Sequence, residues 1–270
     1  MKVRVGHSPD PDDAFMFYPI KYKKINLKGY EVEEIVKDIE TLNKMAFEGN
    51  VDVTAISAHA YAYVSDRYDV LSSGASMGKG YGPVVVAKER IELSNKRVAI
   101  PGKWTTAALL SKIYLPKDVE YVEMRFDEIP EAVLRGEVDA GVLIHEGQLT
   151  YKKMGLVKIM DFGEVWYEET GLPLPLGLDV AKKEISKDWA EIWYNAVKYS
   201  LEHPKEALKH ALGFARGLDE STTEKFVRMY VNDYTLDMGE EGEEALRKLY
   251  EKAYKSGALD FIPRFVVVKP

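Results

Sequence analysis

Residues able to do chemistry gather in a few short segments of the chain. Ser8-Pro9-Asp10-Pro11-Asp12-Asp13 sets three carboxylates within four residues, on a loop stiffened by two prolines. Asp12 or Asp13 could cap a helix and complement its dipole. The surplus of charge could instead meet a cation or a hydroxyl-rich ligand, although the spacing is a weak metal signal. His145 closes the apolar run Val138–Ile144 and is the candidate base, because imidazole gives and takes protons near neutral pH. A histidine on a buried strand is more often a structural residue, but a position at the strand's carboxyl end favours function. His7 beside the acidic loop is a secondary candidate, and His59, His203 and His210 carry less weight. Pro101-Gly102-Lys103-Trp104-Thr105-Thr106 lies at a strand–helix junction, where amides and hydroxyls suit a carboxylate or phosphate. Thr105 as a plain N-cap explains that segment equally well. Gly78-Lys79-Gly80-Tyr81-Gly82-Pro83 lacks the strand–loop–helix context of a nucleotide fingerprint and reads as a hinge or ligand-contacting loop.

The elements that must position these groups alternate. Strands are expected at Lys2–His7, Tyr30–Val36, Val51–Ser57, Gly82–Ala87, Arg97–Ile100, Val119–Met124 and Val138–Ile144. Helices are expected from near Asp13 and at Ile39–Glu48, Thr105–Tyr114 and Pro130–Leu134. This alternation predicts βαβ units and a largely parallel sheet. Gly49-Asn50-Val51-Asp52 before one strand is echoed by Gly136-Glu137-Val138-Asp139 before another. In both copies a C-capping glycine precedes a buried strand that ends on a polar group, Ser57 or His145. The echo either reflects a common way to end a helix and start a strand, or marks two lobes of similar design. On the second reading Ser57 and His145 could face each other across a cleft, since α/β sheets bind ligands beyond their carboxyl ends. Leu172–Gly177 reads as an extended strand returning to the first lobe, with crossings near Lys88 and Leu178 acting as a hinge. The expected lobes are therefore 1–88 with 178–270, and 89–177. From about Asp188 the chain is helical, at Trp189–Leu201, Pro204–Leu212, Glu220–Tyr230 and Glu240–Ser256.

Composition excludes several classes. Hydrophobic residues at 46% and charged residues at 30% give an ordinary globular balance. A net charge of −7 argues against a nucleic-acid partner. No apolar run approaches the ~20 residues that cross a bilayer, so no membrane partner is expected. The start Met1–His7 lacks the apolar core of a secretion signal, which predicts a cytoplasmic protein. With no cysteine, the chain has no disulfides, thiolate nucleophiles or iron–sulfur ligands.

Ser8–Tyr18, Asp38–Asn43, Gly80–Ala87, Pro101–Thr106, Gly136–Glu146, Thr170–Gly177 and Tyr230–Glu241 together resemble the menaquinone-biosynthesis family of the futalosine pathway. That family includes 1,4-dihydroxy-6-naphthoate synthase and chorismate dehydratase, and the motifs fit the synthase branch better. The resemblance implies a two-lobed α/β fold of the type II periplasmic-binding-protein kind with a helical C-terminal region. It also implies cofactor-free conversion of cyclic dehypoxanthinyl futalosine to 1,4-dihydroxy-6-naphthoate, a small-molecule lyase-type reaction. His145 would be the base, and Asn43, Ser57, Thr105, Thr106 and Leu176 would line the pocket. Ser8, Asp10, Asp12 and Ile144 are added as substrate contacts, and no metal ligand is assigned. The family's first loop usually reads Ser-Pro-Cys-Pro-Asn-Asp, so Asp10 and Asp12 are departures, as are Ala58 after Ser57 and Trp104 before the threonines. These changes alter charge at the expected site. The alternative reading is a non-catalytic solute-binding protein for a small carboxylate or aromatic ligand, because most proteins of that fold only bind.

Overall fold

The computed structural model describes residues Met1–Pro270 and divides them into two compact units. The first comprises Met1–Met77, Gly177–Glu244 and Pro263–Pro270, and the second Gly78–Leu176 with Ala245–Ile262. In chain order the elements are β1 (Lys2–His7), α1 (Pro11–Lys21), β2 (Glu31–Val36), α2 (Ile39–Phe47), β3 (Val53–Ser57), α3 (Ala58–Tyr61), β4 (Tyr68–Leu71) and β5 (Ser76–Gly78). There follow β6 (Val84–Ala87), β7 (Arg97–Ile100), α4 (Thr106–Tyr114), β8 (Glu120–Glu123), α5 (Ile129–Arg135), β9 (Ala140–Leu143), α6 (Gly147–Thr150), β10 (Val157–Asp161) and α7 (Phe162–Thr170). The chain ends with β11 (Leu174–Lys182), α8 (Ser186–Glu202), α9 (Pro204–Ala211), α10 (Glu220–Tyr230), α11 (Asp233–Leu236), α12 (Gly239–Lys255) and β12 (Val267–Val268).

The first unit is built on a sheet of order β12-β4-β11-β3-β1-β2, with β5 beside β11. β1 runs parallel to β2 and β3, whereas β11 is antiparallel to β3 and β4. The sheet is therefore mixed, not largely parallel, because the returning strand enters it from the opposite end. α1 starts at Pro11, earlier than the expected Asp13, since proline's fixed φ suits a first helical position. It is buried along almost its whole length and touches α8, α9 and α10, which explains why it carries no amphipathic stripe. Phe15, Phe17 and Ile20 of α1 join Val3 and Val5 of β1 and Trp189, Trp193, Ala196 and Val197 of α8 in one core.

The second unit holds a five-stranded sheet of order β10-β6-β9-β7-β8. β7 is parallel to β8 and β9, and β6 is antiparallel to β9 and β10. The expected division at residue 88 would assign β6 to the first unit, yet its partners are strands of the second. Residues 245–262, expected in the first lobe, also fall in the second unit. The core gathers Val84, Val86, Ala99, Ile129, Val133 and Leu143. A Cβ on Gly141 of β9 would stand 2.3 Å from Ile129 Cγ2, so α5 lies on β9 at a distance only glycine permits. In the Gly78–Pro83 segment, a Cβ on Gly78 would meet the Tyr81 carbonyl oxygen, and one on Gly163 would meet it from another side. Close packing of the main chain thus accounts for glycine there.

The repeated Gly-x-Val-Asp motif has a physical cause. Gly49 and Gly136 take left-handed conformations, at φ 71° and 74°, where the preceding helices end. Asp52 Oδ2 then accepts the Arg4 amide of β1 at 2.8 Å, and Asp139 Oδ2 accepts the Arg97 amide of β7 at 2.8 Å. The backbone amides of the same two aspartates donate to the Arg4 and Arg97 carbonyls, each at 2.9 Å. Each aspartate therefore clamps one residue at or near the start of the neighbouring parallel strand, and the two units share one construction. No helix is long and apolar enough to cross a membrane.

Candidate active site

On the first unit, the carboxyl ends of β1 and β3 carry the expected residues. Ser57 ends β3, and fully buried Asn43 of α2 grips it twice. Asn43 Oδ1 accepts the Ser57 amide at 2.9 Å while its Nδ2 donates to Ser57 Oγ at 3.0 Å. This pair of hydrogen bonds orients both side chains before any ligand arrives. The acidic loop after β1 is more structural than its composition suggests. Ser8 Oγ donates to Asp10 Oδ2 at 2.5 Å, and Arg216 forms an ion pair with Asp10 Oδ1 at 2.5 Å while donating to the Pro9 carbonyl at 2.9 Å. Both Asp10 oxygens thus serve the loop. Asp13 Oδ2 accepts the Ser8 amide at 2.7 Å, so it bonds ahead of the helix and does not cap it.

Asp12 differs. It is buried, and its Oδ1 has no hydrogen-bond partner. Burial, then the Asp13 and Asp10 carboxylates, push its pKa well above the usual range, opposed by the amides of Asp12 and Asp13. Asp179 of β11, 2% exposed, accepts Trp193 Nε1 at 2.8 Å and is also driven well upward, by burial and then by Asp13 and Asp12. Asp13 is raised as well, mainly by burial. The group is a nest of like charges in a dry setting, where a shared proton is favoured over full ionisation. His7 is committed elsewhere: Nδ1 lies 2.8 Å from the Ser8 carbonyl and Nε2 3.2 Å from Glu34 Oε1, with the ring against Phe17. The hydrogen bond from His7, aided by Lys21, brings Glu34 down to about 2.

On the second unit, Thr105 is the N-cap of α4, its Oγ1 accepting the Ala108 amide at 3.2 Å. Its hydroxyl donates to the Gly102 carbonyl at 2.8 Å, and the Thr106 hydroxyl donates to the Leu176 carbonyl at 2.6 Å. The two hydroxyl hydrogens therefore point at main chain, so an anion at this junction would be met by the amides of the helix start and not by threonine O–H groups. The Thr106 bond ties α4 to the strand that carries Leu176.

His145 lies two residues beyond β9, not on it, because β9 stops at Leu143. It is half-buried, as is Ile144. Its φ of 52° is left-handed, a conformation that non-glycine residues seldom adopt and that costs on the order of 1 kcal/mol or more. The turn continues into α6 through Gly147 N–H to the Ile144 carbonyl at 3.2 Å and Gln148 N–H to the His145 carbonyl at 3.2 Å. Phe126 meets the imidazole edge-on, with ring centroids 4.8 Å apart at 74°. A half-exposed imidazole held off the end of a strand can accept a substrate proton, and strained backbone recurs at such places.

The structure thus joins Asn43 to Ser57, Ser8 to Asp10, and Thr106 to Leu176. Three participants escaped sequence reasoning. Asp179 did leave a signal, a lone charge in the apolar run Leu178–Ala181. Arg216, which takes a left-handed φ of 46°, and Phe126 left none, since their partners are distant in sequence or lie on irregular loops.

The chain matches the family described as menaquinone biosynthesis over residues 3–255. It is 41% identical to a 1,4-dihydroxy-6-naphthoate synthase of Thermus thermophilus over 97% of each chain. A crystal structure of a protein from Archaeoglobus fulgidus superposes with a TM-score of 0.91 at 49% identity, covering 96% of this chain and 98% of that one. A Candida albicans protein described as having the generic periplasmic-binding-protein fold gives a TM-score of 0.70 at 12% identity, covering 97% of this chain and 92% of that one. The last comparison shows the same α/β fold. The first two span nearly every residue discussed above, and the chain belongs to the menaquinone-biosynthesis family.

Proposed function

We propose that the protein is a 1,4-dihydroxy-6-naphthoate synthase that acts in the cytoplasm on cyclic dehypoxanthinyl futalosine, with His145 as general base. The observation that carries this reading is the placement of His145: half-buried, off the carboxyl end of β9, on a left-handed residue. Full-length identity of 41% to a relative bearing that name supports the choice of substrate. In the proposed step a ring C–H proton passes to the imidazole. Its electron pair enters the ring as the bond to the sugar-derived fragment breaks, and that fragment leaves with the electrons. Electrons balance without an oxidant, and gain of aromaticity drives the reaction forward. The protein's task is then to orient the substrate and exclude water.

On the second unit the proposed contacts are Thr105, Thr106, Ile144 and Leu176, with the amides at the start of α4 facing the substrate carboxylate. On the first unit they are Ser8, Asn43 and Ser57, with Asp10 and Asp12 behind them. Asn43 and Ser57, already fixed on each other, would present a rigid polar edge. The test is incubation of purified protein with cyclic dehypoxanthinyl futalosine, followed by chromatography and mass measurement. Release of dihydroxynaphthoate is the expected result. A ligand that is bound tightly yet recovered unchanged after many hours would favour a solute-binding protein of the same fold.

A further inference from the structure

His145 sits in the turn between β9 and α6, and its left-handed backbone takes it out of the strand's side-to-side alternation. Backbone geometry alone does not choose among imidazole rotamers, and a misplaced base loses much of its effect. An aromatic partner of the ring is Phe126, in the loop between β8 and α5, at 4.8 Å and 74°. That edge-to-face geometry is favoured by the ring quadrupole and biases a side-chain population by roughly two- to tenfold.

Two further features fix where Phe126 stands. Arg125 binds both oxygens of Asp127, at 3.1 and 2.8 Å, and the Glu128 amide donates to the Arg125 carbonyl at 3.0 Å, closing a tight turn with Phe126 inside it. The helix that follows, α5, is seated on β9 through Gly141, whose missing side chain admits Ile129 and Val133. The strand that leads to His145 and the helix that follows Phe126 are therefore packed against each other at close range.

We infer that Phe126 is a positioning residue, which holds the His145 imidazole in one orientation through the edge-to-face contact. The inference rests on the proposed role of His145, but part of its test is independent of activity. Phe126→Leu keeps apolar volume and removes the ring, whereas Phe126→Tyr keeps the ring. In the leucine variant kcat is expected to fall about tenfold with KM changed less than about threefold. The tyrosine variant is expected to recover most of that loss. By NMR, the NOEs from the His145 ring protons to their other neighbours, with the signals assigned by their disappearance in His145→Gln, should change in Phe126→Leu and keep the wild-type pattern in Phe126→Tyr. A folded Phe126→Leu protein whose His145 NOE pattern is that of the wild type overturns the inference whatever its activity, and so does wild-type kcat in that variant. Should the wild-type protein itself fail to turn over, the proposed function falls, and the NMR comparison alone decides whether Phe126 orients the ring.

Discussion

At the scale of single residues, the carboxylates after β1 and on β11 divide into two kinds. Asp10 is paired with Arg216 and accepts a hydrogen bond from Ser8, so its charge is structural. Asp12 and Asp179 are buried near like charges, and both are pushed well above the usual carboxylate range. A carboxyl whose folded pKa is raised stabilises the fold fully below its unfolded value, near 4, and that contribution fades as pH rises through the folded value. Asp12→Asn removes the need to hold a proton, and its amide can serve the orphaned Oδ1 position. The variant is expected to be more stable than wild type by about 1 kcal/mol at pH 8 and about equal to it at pH 4, read from urea midpoints at both. A variant destabilised equally at both pH values would mean that the Asp12 charge is needed, for example by a bound cation.

At the scale of elements, positions are set by clamps and close approaches more than by propensity. Gly141 shows this, because a methyl group added there would be driven into Ile129 and would lift α5 from β9. Gly141→Ala is expected to lower stability by about 1–3 kcal/mol, read as a reduced urea midpoint with unchanged slope. It should also lower kcat, since α5 follows the Phe126 turn. A variant as stable as wild type would show that the two elements separate easily. Much of this scale was legible in the chain. Strands β1 and β7 and helix α10 lie where periodicity puts them, and α2, α4, α8 and α9 shift by only a few residues. The Gly-x-Val-Asp echo was visible too, although its cause, an aspartate clamping an amide of the neighbouring strand, appears only in three dimensions. Elements β4, β5, β10 and α7 went unread. β4 and β5 are short strands, and β10 runs into α7 through Asp161, with no glycine or proline between them to mark the change.

At the scale of the whole molecule, fold alone does not fix function, because one architecture can host many unrelated functions. What singles out this chain is the placement of a few side chains. The sequence pointed to His145, Ser57 and the threonine pair because each follows an apolar run or opens a helix. It did not reveal that Thr105 and Thr106 turn their hydroxyl hydrogens to main chain, because a carbonyl acceptor such as Leu176 lies far along the chain. Buried carboxylates also give the molecule a common pH response. Asp161, raised to about 6 by burial, adds on the second unit to the effect of Asp12 and Asp179 on the first. Each carries a raised value, so these groups make stability decline as pH rises from about 4, the usual carboxylate value, through the Asp161 value of about 6, opposite in sign to ordinary salt-bridged carboxylates. Thermal midpoints across that range check the sign.

The central claim is that His145 removes the substrate proton, and His145→Asn tests it most directly. Asparagine tolerates the left-handed backbone and removes the base, so fold and turn are kept while the chemistry is not. With cyclic dehypoxanthinyl futalosine as substrate, kcat is expected to fall by roughly 10²–10⁴-fold, with substrate affinity and thermal midpoint near wild type. A folded His145→Asn protein that forms dihydroxynaphthoate within about threefold of the wild-type rate would contradict the account, and the base would have to be sought elsewhere.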